Sequence, residues 1–358
     1  MTTGQKKISS SNNTNNGIPP SIIHFIWIGG TLPEKYLLDS LIKLGLLAKK
    51  HGFKVYLWVD DSRNFSKAIS RLAYEKYQFD LQITPNNLGI ELKDIRSLIE
   101  EMQTDPFYQN DNRFKDFLSY VNREMIGFKN LASAADFLRY EILRVKGGYY
   151  FDLDTVFLKF KNLELIPEPL PYGIKLHGFV NHNGELTSVN NDVIVAIPHH
   201  PVIEDAIHHS IQSYRKLDGE NQDFDYILRM LKFPLRKDHT KMDLKRYPYY
   251  PPYFGHNNMF FSKRWDYTLD SAGPNALIFG LNNYIKNIQN NSPDIPLGTI
   301  YNDLVINRVT NWPAQECEHL SLSNIPFRGA SDQTWTNSNY RVKGYDDSSI
   351  PSSLFLKT

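Results

Sequence analysis

The sequence predicts an α/β protein built on a parallel sheet, and three observations carry that expectation. Ser21 to Gly30 (SIIHFIWIGG) reads as a buried strand, a helix opens at Thr31-Leu32-Pro33-Glu34 and runs to about Lys50, and Phe53 to Val59 is a second strand. Strand, helix and strand in close succession are the pattern of a parallel sheet covered by helices. Next, Leu131 to Val145 places Leu131, Ala134, Ala135, Leu138, Ile142 and Val145 at helical spacing and stops at Gly147-Gly148, the residue type that most readily ends a helix. That turn leads directly into a further short strand, Tyr149 to Leu153, running into Asp154.

The remaining elements follow from the same signals. Thr31 stands where a helix cap belongs. Ser66 to Asn130 reads as mostly helical and polar with a break at Thr84 to Gly89, an expected helical insertion over about 66–130. Strands are expected at Gly173 to Phe179 and Asp192 to Ile197, and helices at Pro201 to Leu217 and Asp223 to Leu231. Tyr247 to Asn258 (YPYYPPYFGHNN) reads as a rigid aromatic-proline loop. The expected organisation is a single domain over 18–340 between a flexible polar tail, 1–17, and a weakly structured tail, 341–358.

Composition narrows the function classes. The 358 residues, 41% hydrophobic and 22% charged, suffice for a packed core. A formal net charge of +1 argues against a broad electrostatic hold on nucleic acid. Cys317 is the only cysteine, so disulfides within the chain and a Cys-rich zinc site are excluded. The eleven histidines include His199–His200 and His208–His209, but neither pair has the spacing of a helical zinc site, and they read as surface or loop residues. The tail 1–17 lacks the apolar core of a secretion signal or anchor, and apolar runs such as Leu41 to Ala48 are too short to span a bilayer. A soluble chain is expected, either cytoplasmic or secreted into a host cell. Aromatic residues make up 13% of the chain, which fits a stacking cleft and an aromatic core equally.

Asp152-Leu153-Asp154 is the candidate chemical centre. A diphosphate leaving group carries charge that a hard divalent cation neutralises, and such ions prefer carboxylate oxygens. Two carboxylates at i and i+2 on a strand share a face, and the end of a strand in an α/β sheet is where ligands bind. Spacing alone proves little, because Asp223-Phe224-Asp225 repeats it in a polar stretch where solvated carboxylates are the natural reading. The first pair differs by its setting, inside the apolar run Tyr149 to Leu158, where a carboxylate needs a partner. That partner is a cation or, equally for a strand-end pair, an Arg or Lys. Asp136 and Arg139, three apart, share a helix face outside the apolar stripe, suited to holding sugar hydroxyls and phosphate or to a simple intrahelical ion pair.

Leu131 to Leu158 (LASAADFLRYEILRVKGGYYFDLDTVFL) closely resembles the core of the glycosyltransferases with a sugar-binding region containing a DXD motif, among them the glucosyltransferase domains of large clostridial toxins, related bacterial effectors and fungal-type initiating mannosyltransferases. IIHFIWIGG resembles the first strand of that family, and Asn190-Asn191-Asp192 with His200-Pro201 is similar to a later family segment. The resemblance implies a GT-A type α/β sheet with helical insertions that binds a nucleotide-sugar. It implies that Trp27 stacks on the uracil, with Ile26 beside it at the donor, and that Asp136 contacts sugar or ribose and Arg139 the diphosphate. Asp152 would reach ribose and metal through water, and Asp154 would bind Mn²⁺ or Mg²⁺ directly. Ser331-Asp332-Gln333-Thr334-Trp335 is the candidate carboxy-terminal loop, with Ser331 and Trp335 on the diphosphate and Asp332 completing the metal shell; its spacing departs from the toxin pattern. Gly273-Pro274 is similar to a family loop but is also a generic turn.

The activity so implied is metal-dependent, retaining transfer of a sugar, glucose or N-acetylglucosamine first, from a UDP-sugar to a protein acceptor, in the manner of a bacterial effector or toxin. A cytoplasmic polysaccharide or glycolipid transferase is the alternative, for which Lys232 to Arg246 offers a basic stretch diluted by Asp238 and Asp243. A nucleotide-sugar-binding module without turnover is the reading from another class.

Overall fold

The structure, a computed structural model, describes residues 17–28, 35–60, 62–80, 82–109, 111–127, 131–157, 164–180, 186–219, 271–306, 320–322 and 325–328. Strands β1 (Ile22–Trp27) and β2 (Lys54–Val59) flank helix α1 (Lys35–Lys50), as the first strand-helix-strand pattern predicts. Helix α2 (Ser62–Tyr77) leads to β3 (Ile90–Asp94), and α3 (Ile95–Thr104), α4 (Arg113–Asn122) and α5 (Leu131–Lys146) carry the chain to β4 (Gly148–Phe151). Then come β5 (Val156–Phe157), β6 (Ile174–Val180), β7 (Leu186–Ala196) and α6 (Pro201–Gly219). Two helices, α7 (Pro274–Asn291) and α8 (Leu297–Leu304), precede β8 (Val305–Ile306), β9 (Leu320–Leu322) and β10 (Ile325–Arg328).

Seven strands form one sheet in the order β3-β2-β1-β4-β7-β6-β8, and β5-β10-β9 form a small second sheet. All neighbours in the large sheet are parallel except β7, which runs against both β4 and β6. Alternation along the strands splits the core in two. Ile23 and Phe25 of β1 with Val55, Leu57 and Val59 of β2 pack beneath α1 and α2, while Ile26 and Trp58 join α3 to α7 on the other face. The α1 residues Leu38, Leu41, Ile42 and Ala48 recur at helical spacing and are all buried, which is why this helix lies on the sheet. The sheet with helical insertions expected of a GT-A type domain is therefore present.

Three expectations need correction. Ile90–Asp94, inside the stretch read as helical, is an edge strand paired to β2 alone. Its sequence IELKD is short and polar, as suits an outer edge that faces no further strand among the described residues; Glu91 pairs with Lys93, whose ammonium lies 4.3 Å from the Tyr56 ring centroid. Helices α7 and α8 were not anticipated. His200, expected to be a surface or loop residue, stands in the loop before α6 but is buried: its Nε2 donates to the Tyr172 carbonyl at 2.9 Å and its Nδ1 accepts the Val202 amide at 3.2 Å. The expected helix Asp223 to Leu231, the loop Tyr247 to Asn258, the Thr31 cap and the tail after Tyr340 lie outside the described residues.

The turn between α5 and β4 is held tightly. Gly147 and Gly148 have φ of +60° and +96°, and a Cβ on Gly148 would stand 2.5 Å from the Ile22 carbonyl oxygen. His24, fully buried on β1, donates from Nε2 to the Gly147 carbonyl at 2.9 Å and accepts Trp58 Nε1–H on Nδ1 at 3.2 Å. Those two bonds require the neutral ring, and burial lowers the His24 pKa to about 4, with Lys146 adding to the shift. Burial likewise lowers His200 to about 4.

Two predictions follow from these contacts. Gly148→Ala is expected to cost at least about 2 kcal/mol in urea unfolding, since it adds both a left-handed Cβ and a backbone clash. His24 and His200 take up protons in the unfolded chain near the ordinary histidine pKa but resist them when folded. The contribution of these two rings is therefore complete above about pH 6.5 and falls towards pH 4, by about 3 kcal/mol for each ring. His24→Asn should flatten that slope in unfolding curves recorded from pH 7 to 4.5.

Candidate active site

In an open α/β sheet the carboxyl ends of adjacent parallel strands form a crevice where the strand order reverses. Here the reversal lies between β1 and β4: β2 and β3 extend the sheet on one side and β7, β6 and β8 on the other. The β1–β4 ladder covers only Ile23↔Tyr149 and His24↔Tyr150, so Trp27 and Asp152 both lie beyond it. Trp27 ends β1, half-buried, while Ile26 before it is buried in the core.

Arg139 is the centre of the arrangement. Its guanidinium is buried, with Nη2 2.8 Å from Asp136 Oδ1 and Nη1 3.2 Å from Asp152 Oδ1, and it donates to the Asn191 carbonyl at 2.5 Å. The charge also lies 4.8 Å from the Tyr150 ring centroid. Asn191 Nδ2–H donates to Asp136 Oδ1 at 2.8 Å, and the Tyr150 hydroxyl donates to Asp152 Oδ1 at 2.7 Å. One cation thus joins α5, the end of β4 and the middle of β7.

Two geometric expectations change. Asp152 and Asp154 do not stand on a strand: β4 ends at Phe151, and Asp152 to Thr155 form a turn closed by the Thr155 amide on the Asp152 carbonyl at 2.9 Å. Strand alternation therefore does not set their directions. The Asp152 amide instead donates to the Asp192 carbonyl at 2.8 Å, which moors the turn to β7. Nor do Asp136 and Arg139 occupy a polar helix face, because α5 is buried on nearly every side and both side chains lie in the interior. Ser331, Asp332 and Trp335 fall outside the described residues.

Buried carboxyl groups dominate the site. Burial raises the pKa of Asp136 to about 7 despite Arg139, with Asp152 adding to the rise. Asp152, although its side chain is 32% exposed, is also raised, first by burial and then by Asp192. Asp192 is held below the usual carboxylate range: burial works against this, but His177 with Nδ1 at 2.8 Å and Arg139 outweigh it. Carboxylates thus exceed the cations among them, and oxygen donors of this kind fit a hard divalent ion. Among the described residues no three acidic, His or Cys side chains form a metal cluster. A metal held at Asp152 and Asp154 therefore draws its other ligands from elsewhere. Sequence gives Tyr150, His177, Asn191 and Asp192 no role; the one signal is the similarity of Asn190-Asn191-Asp192 to a family segment.

Arg139→Met should leave Asp136 and Asp152 buried without their shared cation and cost about 3–5 kcal/mol of stability. Asp136→Asn in that background should restore a substantial part, as read from urea midpoints of the single and double variants. An R139M/D136N variant no more stable than R139M would contradict the charge argument.

Residues 47–170 match the family "Glycosyltransferase sugar-binding region containing DXD motif". No curated protein matches the chain significantly. Among solved structures, "PaToxG Glycosyltransferase" is similar at 16% identity, covering 91% of this chain and 87% of that one with a TM-score of 0.45. The catalytic domain of alpha-toxin from Clostridium novyi is similar at 13% identity, with 91% and 80% covered and a TM-score of 0.46. The ligand-free glycosyltransferase domain from the YGT toxin is similar at 14% identity, with 86% and 82% covered and a TM-score of 0.45. Among the described residues no helix is long and apolar enough to cross a membrane. That family match covers about a third of the chain and includes Asp136, Arg139, Asp152 and Asp154.

Proposed function

We propose that this chain transfers a hexose, glucose or N-acetylglucosamine, from a UDP-sugar to a protein acceptor with retention of configuration, acting as a bacterial effector or toxin does. The observation that carries the reading is the buried Arg139 bridging Asp136 and Asp152 at the carboxyl end of β4, beside the strand that ends in Trp27. Such a crevice is where α/β sheets take nucleotides, and its surplus of carboxylates suits a cation that a diphosphate brings with it.

In this reading Trp27 supports the base, and Ile26 offers its backbone to the donor. Asp136, fixed by Arg139 and Asn191, accepts from sugar or ribose hydroxyls. Arg139 orients the two aspartates and presents a fixed positive charge towards the diphosphate. Asp152 and Asp154, in the turn after β4, hold Mn²⁺ or Mg²⁺, with Asp332 as the expected further ligand and Ser331 and Trp335 on the diphosphate. A divalent ion so bound supplies charge neutralisation of the leaving group. Fixed dipoles and charges in the crevice favour departure of the diphosphate from an oxocarbenium-like centre without reorganising.

The test is a hydrolysis panel over UDP- and GDP-sugars with and without MnCl₂. UDP release from a UDP-hexose is expected only with the metal, and Asp152→Asn/Asp154→Asn should lower it at least about a hundredfold. Proton NMR of the first product should show the donor's anomeric configuration. Radiolabelled donor incubated with cell extract should label protein; label in the lipid extract would favour a glycolipid or polysaccharide acceptor. Nucleotide-sugar binding without release from any donor would overturn the enzymatic reading.

A further inference from the structure

Strand β7 loses register against β6 at two places, and the larger shift falls between Leu176 and Gly178. Two steps along β6, from Leu176 to Gly178, face five along β7, from Ile194 to Val189. His177 alone therefore stands opposite Asn190, Asn191, Asp192 and Val193. A bulge forfeits ladder hydrogen bonds and re-aims the side chains it contains, so it persists where other contacts define it.

Three of those contacts reach the candidate active site. The Asn191 carbonyl accepts from Arg139, the Asn191 amide donates to Asp136, and the Asp192 carbonyl accepts the Asp152 amide. A fourth comes from the sheet itself. His177 is buried on β6, where it is in register with Ile306 of β8 on its far side, and its Nδ1 lies 2.8 and 2.9 Å from the two carboxylate oxygens of Asp192. An ionised carboxylate only accepts, so Nδ1 carries the proton and donates it. The histidine is thus seated in a central strand, while the carboxylate it holds belongs to the displaced segment.

We infer that His177 is a positioning residue: by holding the Asp192 carboxylate it defines the Asn190–Val193 bulge, and through Asn191 and Asp192 it places Arg139 and the Asp152 turn. The inference rests on the reading of that turn as the donor site. Partners that orient the residues of a reactive centre, without touching the reacting atoms, commonly carry effects of about tenfold to a hundredfold.

The experiment uses the full chain with UDP-glucose, UDP-N-acetylglucosamine and MnCl₂. His177→Phe keeps the ring and removes the donor; it should lower kcat for donor hydrolysis at least about tenfold with KM nearly unchanged. His177→Asn, which retains a donor near the Nδ1 position, should recover most of the loss. Because the two groups act as one device, the His177→Phe/Asp192→Ser double variant should be no slower than Asp192→Ser alone. Hydrogen exchange gives a readout independent of turnover: the amides of Asp152 and 190–193 should exchange faster in His177→Phe and not in His177→Asn. Should His177→Phe fail to fold, Asp192→Ser, whose side chain is 23% exposed, should show the same kcat loss and the same exchange pattern. Wild-type kcat and exchange in the folded variants, or multiplying losses in the double variant, would overturn the inference. If the wild type itself hydrolyses no donor, the proposed function fails and the exchange pattern alone decides the role of His177.

Discussion

A buried guanidinium must have its charge paired, and in this protein that demand organises the site. Arg139 meets it with the carboxylates of Asp136 and Asp152, the Asn191 carbonyl and the Tyr150 ring. These partners come from three stretches of chain, so α5, β4 and β7 must be docked before the charge is paired. An ion pair so deeply placed adds little net stability, because desolvation offsets most of the attraction. Its effect is specificity: any shift of these elements leaves a charge unpaired in the interior.

That docking depends on small residues and a neutral ring a short distance away. Only glycine fits at Gly148, against the Ile22 carbonyl, and only a neutral His24 can donate to Gly147 while accepting from Trp58. The turn they define aims β4 along β1 for two residues and then lets the two ends part. The crevice between Trp27 and Asp152 is a consequence of that short ladder. Backbone geometry at one end of β4 thereby determines what can bind at the other.

The charge balance of the crevice gives it its chemical character. Arg139 does not neutralise its surroundings: Asp136 and Asp152 remain raised by burial even beside it, while Asp192 depends on His177 to stay ionised. Proteins tolerate such an excess where a ligand completes it, which is how perturbed carboxylates mark reactive sites. A divalent cation travelling with a diphosphate meets that condition.

Sequence by itself determined the local layer of this protein. The strand-helix-strand opening, helix α5 and its glycine stop follow from periodicity and turn chemistry, which act over a few residues and leave their mark on the chain. Asp152 is legible from its Asp-x-Asp spacing after a strand, and Asp136 and Arg139 from their spacing on one helix face, while their roles rest on the family resemblance. What tertiary structure decided is how those residues meet. The aspartates sit in a turn and not on a strand, the helix bearing Arg139 has no polar face, and IELKD is an edge strand because one neighbour, β2, pairs with it. Asn191, Asp192 and His177 join the site through a bulge between β6 and β7, and a bulge is a property of two strands paired together. No periodicity within one strand encodes it, because it depends on partners distant in the chain that come into contact only when the sheet forms.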